Sequence, residues 1–274
     1  MKIFSSLFAA GLVITALVAC QKEDTAIEDA VPVVEQETFV EELAVELDAM
    51  ADEAVSLKLN EGKSTSGEGD FYLGSCSVIT IDNTADPRVI TIGFGDGCTG
   101  KDGKVRSGKI IITSTSFADA SSERIKTFED FYVDGRKVEG AVNKIITISR
   151  QDHSRVAEIS EDITIIFPYE GGTAHRVATL IREYQFNKSG VSGDNMVTSY
   201  GTVEFTRVNG LKVTKTNSAS DPLVFKVSCH RIVSGVVTIT ASDNRSWTID
   251  YGDGECDNLA TITSGDNTRI IRLR

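Results

Sequence analysis

From about Gly67 to the C-terminus the chain alternates between β-rich runs and turn signals, and this rhythm constrains the fold more than any other feature. The runs are rich in Ile, Val, Thr, Phe and Tyr. They fall at 78–81, 89–94, 109–114, 144–149, 163–167, 177–186, 202–207, 211–216, 224–228, 236–240, 247–251 and 268–273. Such side chains suit a pleated, half-buried surface. Asp134-Gly135 and Asn209-Gly210 lie between runs, and these pairs favour tight hairpin turns. Only four prolines occur in 274 residues, so few positions are barred from the interior of a sheet. Short connections pair neighbouring strands antiparallel. The expected fold is mainly β, an antiparallel meander or sandwich over residues 67–274.

One helix is expected ahead of it, over 33–60. Phe39, Val40, Leu43, Leu47, Met50, Ala51 and Ala54 recur at spacings of three and four, with Glu41, Glu42, Glu46, Asp48, Asp52 and Glu53 between them. That pattern reads as an amphipathic helix whose apolar stripe packs on the body and whose acidic face looks outward. Residues 20–32 lack a period and read as an acidic tether. The net charge of −12 is concentrated here. Between Gln21 and Glu61 there are 13 acidic residues and 2 lysines, whereas residues 62–274 hold 27 acidic and 25 basic. A nearly neutral body offers no basic footprint for nucleic acid.

Residues 1–19 read as a secretory signal: Met1-Lys2 is a short positive start, and an apolar run follows. The run is broken by Ser5, Ser6 and Gly11 and sits at the lower edge of a spanning length. Leu17-Val18-Ala19-Cys20 resembles the bacterial lipobox. The resemblance implies cleavage before Cys20 and covalent lipid on its sulfur. Several acyl chains on one residue make a lasting anchor, at roughly 0.8 kcal/mol per buried methylene. Gln21-Lys22-Glu23-Asp24 resembles the tag that directs lipoproteins of the Bacteroidota to the outer-membrane surface. The implied location is therefore the outer membrane, lipid-anchored, with surface display and the inner leaflet both left open.

Two stretches of the body echo each other. Thr91-Ile92-Gly93-Phe94-Gly95-Asp96-Gly97-Cys98 matches Thr248-Ile249-Asp250-Tyr251-Gly252-Asp253-Gly254-Glu255-Cys256. A second echo links Arg106-Ser107-Gly108-Lys109-Ile110 with Val233-Ser234-Gly235-Val236-Val237, but its place in the order differs. Four body cysteines can pair in three ways. The repeat favours Cys76–Cys98 and Cys229–Cys256, each clamping the open end of a hairpin that turns near Asp86-Pro87 or Asp243-Asn244. Closing loops of this length contributes roughly 3 kcal/mol each. No close-spaced cysteine pair supports a metal site instead.

Signals for chemistry are sparse. Asp96, Asp102, Asp250 and Asp253 in glycine-rich loops are weak candidates for calcium, because neither loop follows a regular calcium pattern and the same residues build β-turns. His153, His175 and His230 fall in no catalytic motif, and there is no G-x-S-x-G elbow. The aromatics at 128–132 and 184–186 read as half-buried strand positions rather than a sugar-binding patch. Over residues 70–274 the chain resembles Bacteroidota lipoproteins with paired "(I/T)-I-(D/G)-(F/Y)-G-x-G-x-C" segments. That resemblance implies location and domain character and brings no activity with it. The expectation is a lipid-anchored, non-catalytic module that binds a protein or glycan or supports the envelope, with no cofactor beyond the lipid. The alternative is a hydrolase acting on envelope or extracellular polymers.

Overall fold

A computed structural model describes residues 19–59, 72–116, 121–149, 154–168, 171–185 and 195–273. Residues 1–18 of the expected signal, residue 60 of the expected helix, His153 and Phe186 lie outside the described residues. Among these residues the chain forms one helix, α1 (Ala19–Leu59), and a single antiparallel sheet. The first eight strands run as β1 (Val78–Asp82), β2 (Arg88–Thr99), β3 (Val105–Ser114), β4 (Ser121–Val133), β5 (Arg136–Ile148), β6 (Arg155–Phe167), β7 (Gly172–Gln185) and β8 (Met196–Thr206). The remainder are β9 (Lys212–Asn217), β10 (Leu223–Lys226), β11 (Arg231–Ala241), β12 (Ser246–Asp253), β13 (Leu259–Ser264) and β14 (Asn267–Arg272). Each strand pairs with the next in sequence, with one interruption. β9 and β10 run in the same direction and share one position between β8 and β11, β9 pairing with residues 201–206 and 238–241 and β10 with 196–199 and 231–234. The architecture is thus a meander, not a two-sheet sandwich.

The Asp134-Gly135 turn forms as expected, with both residues at positive φ and Val133 opposite Arg136. Two strands, β4 and β13, fall outside the expected runs. In β4 the inward phase carries Ser122, Arg124 and Lys126, which hides its alternation from a hydrophobicity reading.

The sheet curls around α1. The helix backbone comes closest to β1, β2, β13 and β14, the two ends of the sheet, and its small residues Ala30, Ala44, Ala51 and Ala54 are all buried. Strands β3 to β9 reach the helix with long side chains. This overturns the expectation of a solvated acidic face: Glu37, Glu41, Glu42, Glu46 and Asp48 are buried. They are buried because the facing strands supply Arg106, Arg124, Lys126, Lys144, Arg176, Arg182 and Lys215 on their inward phase, all buried as well. The helix also begins at Ala19 rather than Val33 and runs through Pro32. Glu28 and Asp29 pair there with Arg269 and Arg245, and Ala30, Val33 and Val34 are buried.

The recurring sequence units have a structural reason. Each glycine-aspartate-glycine strand pairs with a serine-glycine strand: β2 with β3, where Gly95 faces Gly108, and β12 with β11, where Ser234 faces Asp253. The register shifts in both pairs. Gly108 has φ +79, and a Cβ there would lie 1.8 Å from the Asp130 carbonyl. Such bulges raise local twist and bend a strand, so two similar kinks help the sheet to close around the helix. The partner strand precedes the motif in one copy and follows it in the other, which explains why the order of the echoes differs.

On the outward phase Glu123, Glu129, Glu139, Glu158, Asp162 and Glu204 are exposed, with Ile125, Ile145 and Val177 exposed among them. No helix among the described residues is long and apolar enough to cross a membrane.

Candidate functional site

Inside the sheet an ionic cage surrounds the helix. Asp48 accepts from Lys126 at 2.7 Å and from Arg182 at 2.6 Å, with Lys144 at 3.5 Å. Asp52 takes Arg155 at 2.6 Å, Arg124 at 3.0 Å and Lys144 at 3.2 Å. Arg176 joins Glu41 at 2.9 Å to Glu161 of β6 at 2.8 Å, and Lys215 bridges Glu37 and Glu41. On β7, Ala174, Ala178 and Leu180 share the inward face with Arg176 and Arg182. The alanines leave room beside the two guanidinium groups.

The two sides of the helix differ electrically. Burial opposes ionisation of Asp52, but Arg155, Lys144 and Arg124 outweigh it and hold the carboxyl at about 2. Glu41 and Asp48 are depressed by their cations in the same way against their burial. Glu42 behaves oppositely. Burial dominates there and pushes it up to about 7, although Arg231 and the Ile232 N–H oppose the rise. Glu46, one turn on, is raised too, again chiefly by burial.

Glu42 borders a cleft of about 750 Å³ at the end of the sheet where β2 meets β3, β4 meets β5, β8 meets β9 and β10 meets β11. Helix residues Pro32, Glu35, Gln36, Phe39 and Glu42 form one wall, spaced by three and four. The turns supply Asp102, Lys104, Asp134, Arg136, Arg207 and His230-Arg231. The Arg136 guanidinium lies 4.8 Å from the Phe39 ring centre and 5.7 Å from that of Phe167. Arg207 donates to Gln36 at 3.1 Å and to the Pro32 carbonyl at 3.0 Å. His230 Nδ1 is 3.1 Å from the Tyr72 hydroxyl. Its backbone is left-handed, with φ 54, between Cys229 and β11. Burial is also the leading cause that lowers the His230 pKa.

The residues singled out from sequence fare differently. Cys20 is the second residue of α1, and its side chain lies outside the described residues. The disulfides form as expected, Cys76–Cys98 with Cα atoms 5.5 Å apart and Cys229–Cys256 with 5.7 Å. They staple the open ends of the β1–β2 and β11–β12 hairpins. Asp96, Asp102, Asp250 and Asp253 do not converge, and no group of three or more metal-ligating side chains occurs among the described residues. Asp102 binds Arg106 through both oxygens, at 3.0 and 2.5 Å, and Asp250 accepts from the Gly252 N–H. His175 meets Asp162 on the exposed outer face. Phe131 is buried beside Phe128 and Phe94, and Tyr184 lies inside under Lys144 and Arg155, so these rings serve the interior.

The sequence reading missed Phe39, Glu42, Arg136, Phe167 and Arg231 as site residues. A usable signal was present for the cage: Arg176 and Arg182 occupy the apolar phase of an alternating strand. Comparison with family models, with curated proteins and with solved structures found no match.

Proposed function

We propose that the chain is a lipid-anchored lipoprotein of the cell envelope that works as a non-catalytic binding or structural module. One observation carries this reading: the cysteine of Leu17-Val18-Ala19-Cys20 opens the helix around which the whole sheet is wound. An acyl group there ties the membrane to the central element of the fold rather than to a loosely joined tail. The two disulfides fit an exported protein. The curl of the sheet is filled by its own helix, which leaves the cleft at the turn end as the place for a partner. Outer-membrane location and surface display rest on the resemblance of residues 21–24 to a surface tag.

A hydrolase is the second reading, and Glu42 favours it. A buried carboxyl near 7, in a cleft with a histidine, is the kind of group that general acid catalysis uses. The Cys20→Ala variant tests the anchor. It should leave the membrane fraction and lose labelling by a radioactive fatty acid. Retention of the variant in membranes would refute the proposal. Turnover of envelope polymer by the purified protein, abolished in Glu42→Gln, would favour the hydrolase instead.

A further inference from the structure

We propose that the cleft at the turn end of the sheet binds a small organic carboxylate, gripped by Arg231 and Arg136. The inference deepens the binding-module reading and rests on it only for the idea that the cleft has an occupant. Two guanidinium groups here make no ion pair among the described residues, although Arg231 lies near enough to Glu42 to lower its carboxyl pKa against the effect of burial. The Arg231 Nη1 is shut off from solvent without a hydrogen-bond partner. That atom is enclosed, so it is the remainder of the Arg231 side chain, which lines the cleft, that meets a carboxylate. Arg136 is held by two rings and, among the described residues, by no carboxylate, so the donor edge of its fork stays available.

Glu35 lines the same cleft and has a partner of its own, and the other acids in its walls have hydrogen-bond donors. Asp102 is taken by Arg106, Asp134 accepts from the Val105 N–H, and Glu42 accepts from the Ile232 N–H. Lys104 is committed to Glu46. The cleft therefore presents two guanidinium forks that form no ion pair with these acids. The Phe39 and Phe167 rings give an apolar floor, and a volume of about 750 Å³ suits a ligand of several rings or a short oligomer. The left-handed His230 backbone and the adjoining Cys229–Cys256 bridge fix the Arg231 wall in advance.

Sodium benzoate, which joins a carboxylate to a flat apolar body, is the probe. Ligand-observed saturation-transfer NMR would follow its titration into the lipidated full chain in detergent. Benzyl alcohol serves as the neutral comparator and inorganic phosphate as a second anion. Saturable benzoate binding is expected, with benzyl alcohol at least about tenfold weaker, as loss of one charge-assisted hydrogen bond implies. Arg231→Met and Arg136→Met should each weaken benzoate by a similar factor, and Lys109→Met, on the outer face, should not. If Arg231→Met misfolds, Arg231→Lys keeps the charge without the fork and should still bind several-fold more weakly. Three results would each overturn the assignment: no saturable signal, equal binding of the alcohol, or full affinity in both arginine variants. Phosphate binding tighter than benzoate would overturn the carboxylate choice. None of these results bears on whether Cys20 holds the chain to a membrane, so the two proposals fail separately.

Discussion

Replacing Asp48 by Asn measures how far the helix is held by charge. The Asp48 carboxylate is 3% exposed and is shared by Lys126, Arg182 and Lys144. After the change Arg182 keeps Glu161 at 3.2 Å and Lys144 keeps Asp52 at 3.2 Å. Lys126 has no second acid among the described residues, and its side chain is only 5% exposed. One ammonium is thus stranded in the interior. Breaking a buried pair this way costs about 3–5 kcal/mol. Asn can still accept one hydrogen bond, which places it near the lower end, and Asp48→Leu near the upper. For a urea m-value of about 3 kcal/mol/M this is a midpoint fall of about 1–2 M. Urea is the right denaturant because it adds no salt, and the deficit should persist in 0.5 M sodium chloride, since buried pairs are weakly screened. Lys109→Met is the control. Its pair with Glu129 is half exposed on both sides and should contribute under about 1 kcal/mol. The double variant Asp48→Leu, Lys126→Met should recover part of the loss. If Asp48→Asn moved the midpoint no more than Lys109→Met, the ionic cage would not be what holds the helix.

The pH response should separate the two sides of α1. Glu42 has a folded value of about 7 against an ordinary 4.5, with Arg231, Glu46, Lys104 and the Ile232 N–H facing it. The folded state therefore binds its proton more tightly. Its contribution is fully present below about 4.5, falls as pH rises toward 7, and is flat above. Glu42→Gln should be more stable than the parent above pH 7 by up to roughly 3 kcal/mol, and the gap should close toward pH 5 in urea titrations. A gap that widened on acidification would contradict the assignment. Asp52 runs the other way: depressed to about 2 from 3.8, it stabilises the fold above about pH 4, and that support is lost as pH falls through 2. Removing one staple with Cys76→Ala and Cys98→Ala should lower stability by about 3 kcal/mol for a 22-residue separation. An unchanged urea midpoint for that double variant would show that the β1–β2 hairpin needs no clamp.

Much of the scaffold could be read from local pattern. Strand alternation, the Asp134-Gly135 turn, the disulfide pairing and the single helix all depend on residues close together in the chain. Each rests on backbone preference or on short loop closure. The acidic stripe of α1 was equally visible, but an alternation of acids and apolar residues does not say what faces the acids. A solvated face and one caged by cations look the same in one segment. The bases that decide between them lie from Arg106 to Lys215, and only the curl of the sheet brings them to the helix. Those bases also hid β4, by filling its inward phase with charge.

Most of the strands, the helix and the two staples were thus determined by the sequence itself, because their causes act over a few residues or through a repeated motif. The burial of the charges, the meander in place of a sandwich, and the cleft that joins Phe39 and Glu42 to Arg136 and Arg231 were decided only by the tertiary structure. Their partners are far apart in the chain, and the free energy of a charge depends on what surrounds it once water has been excluded.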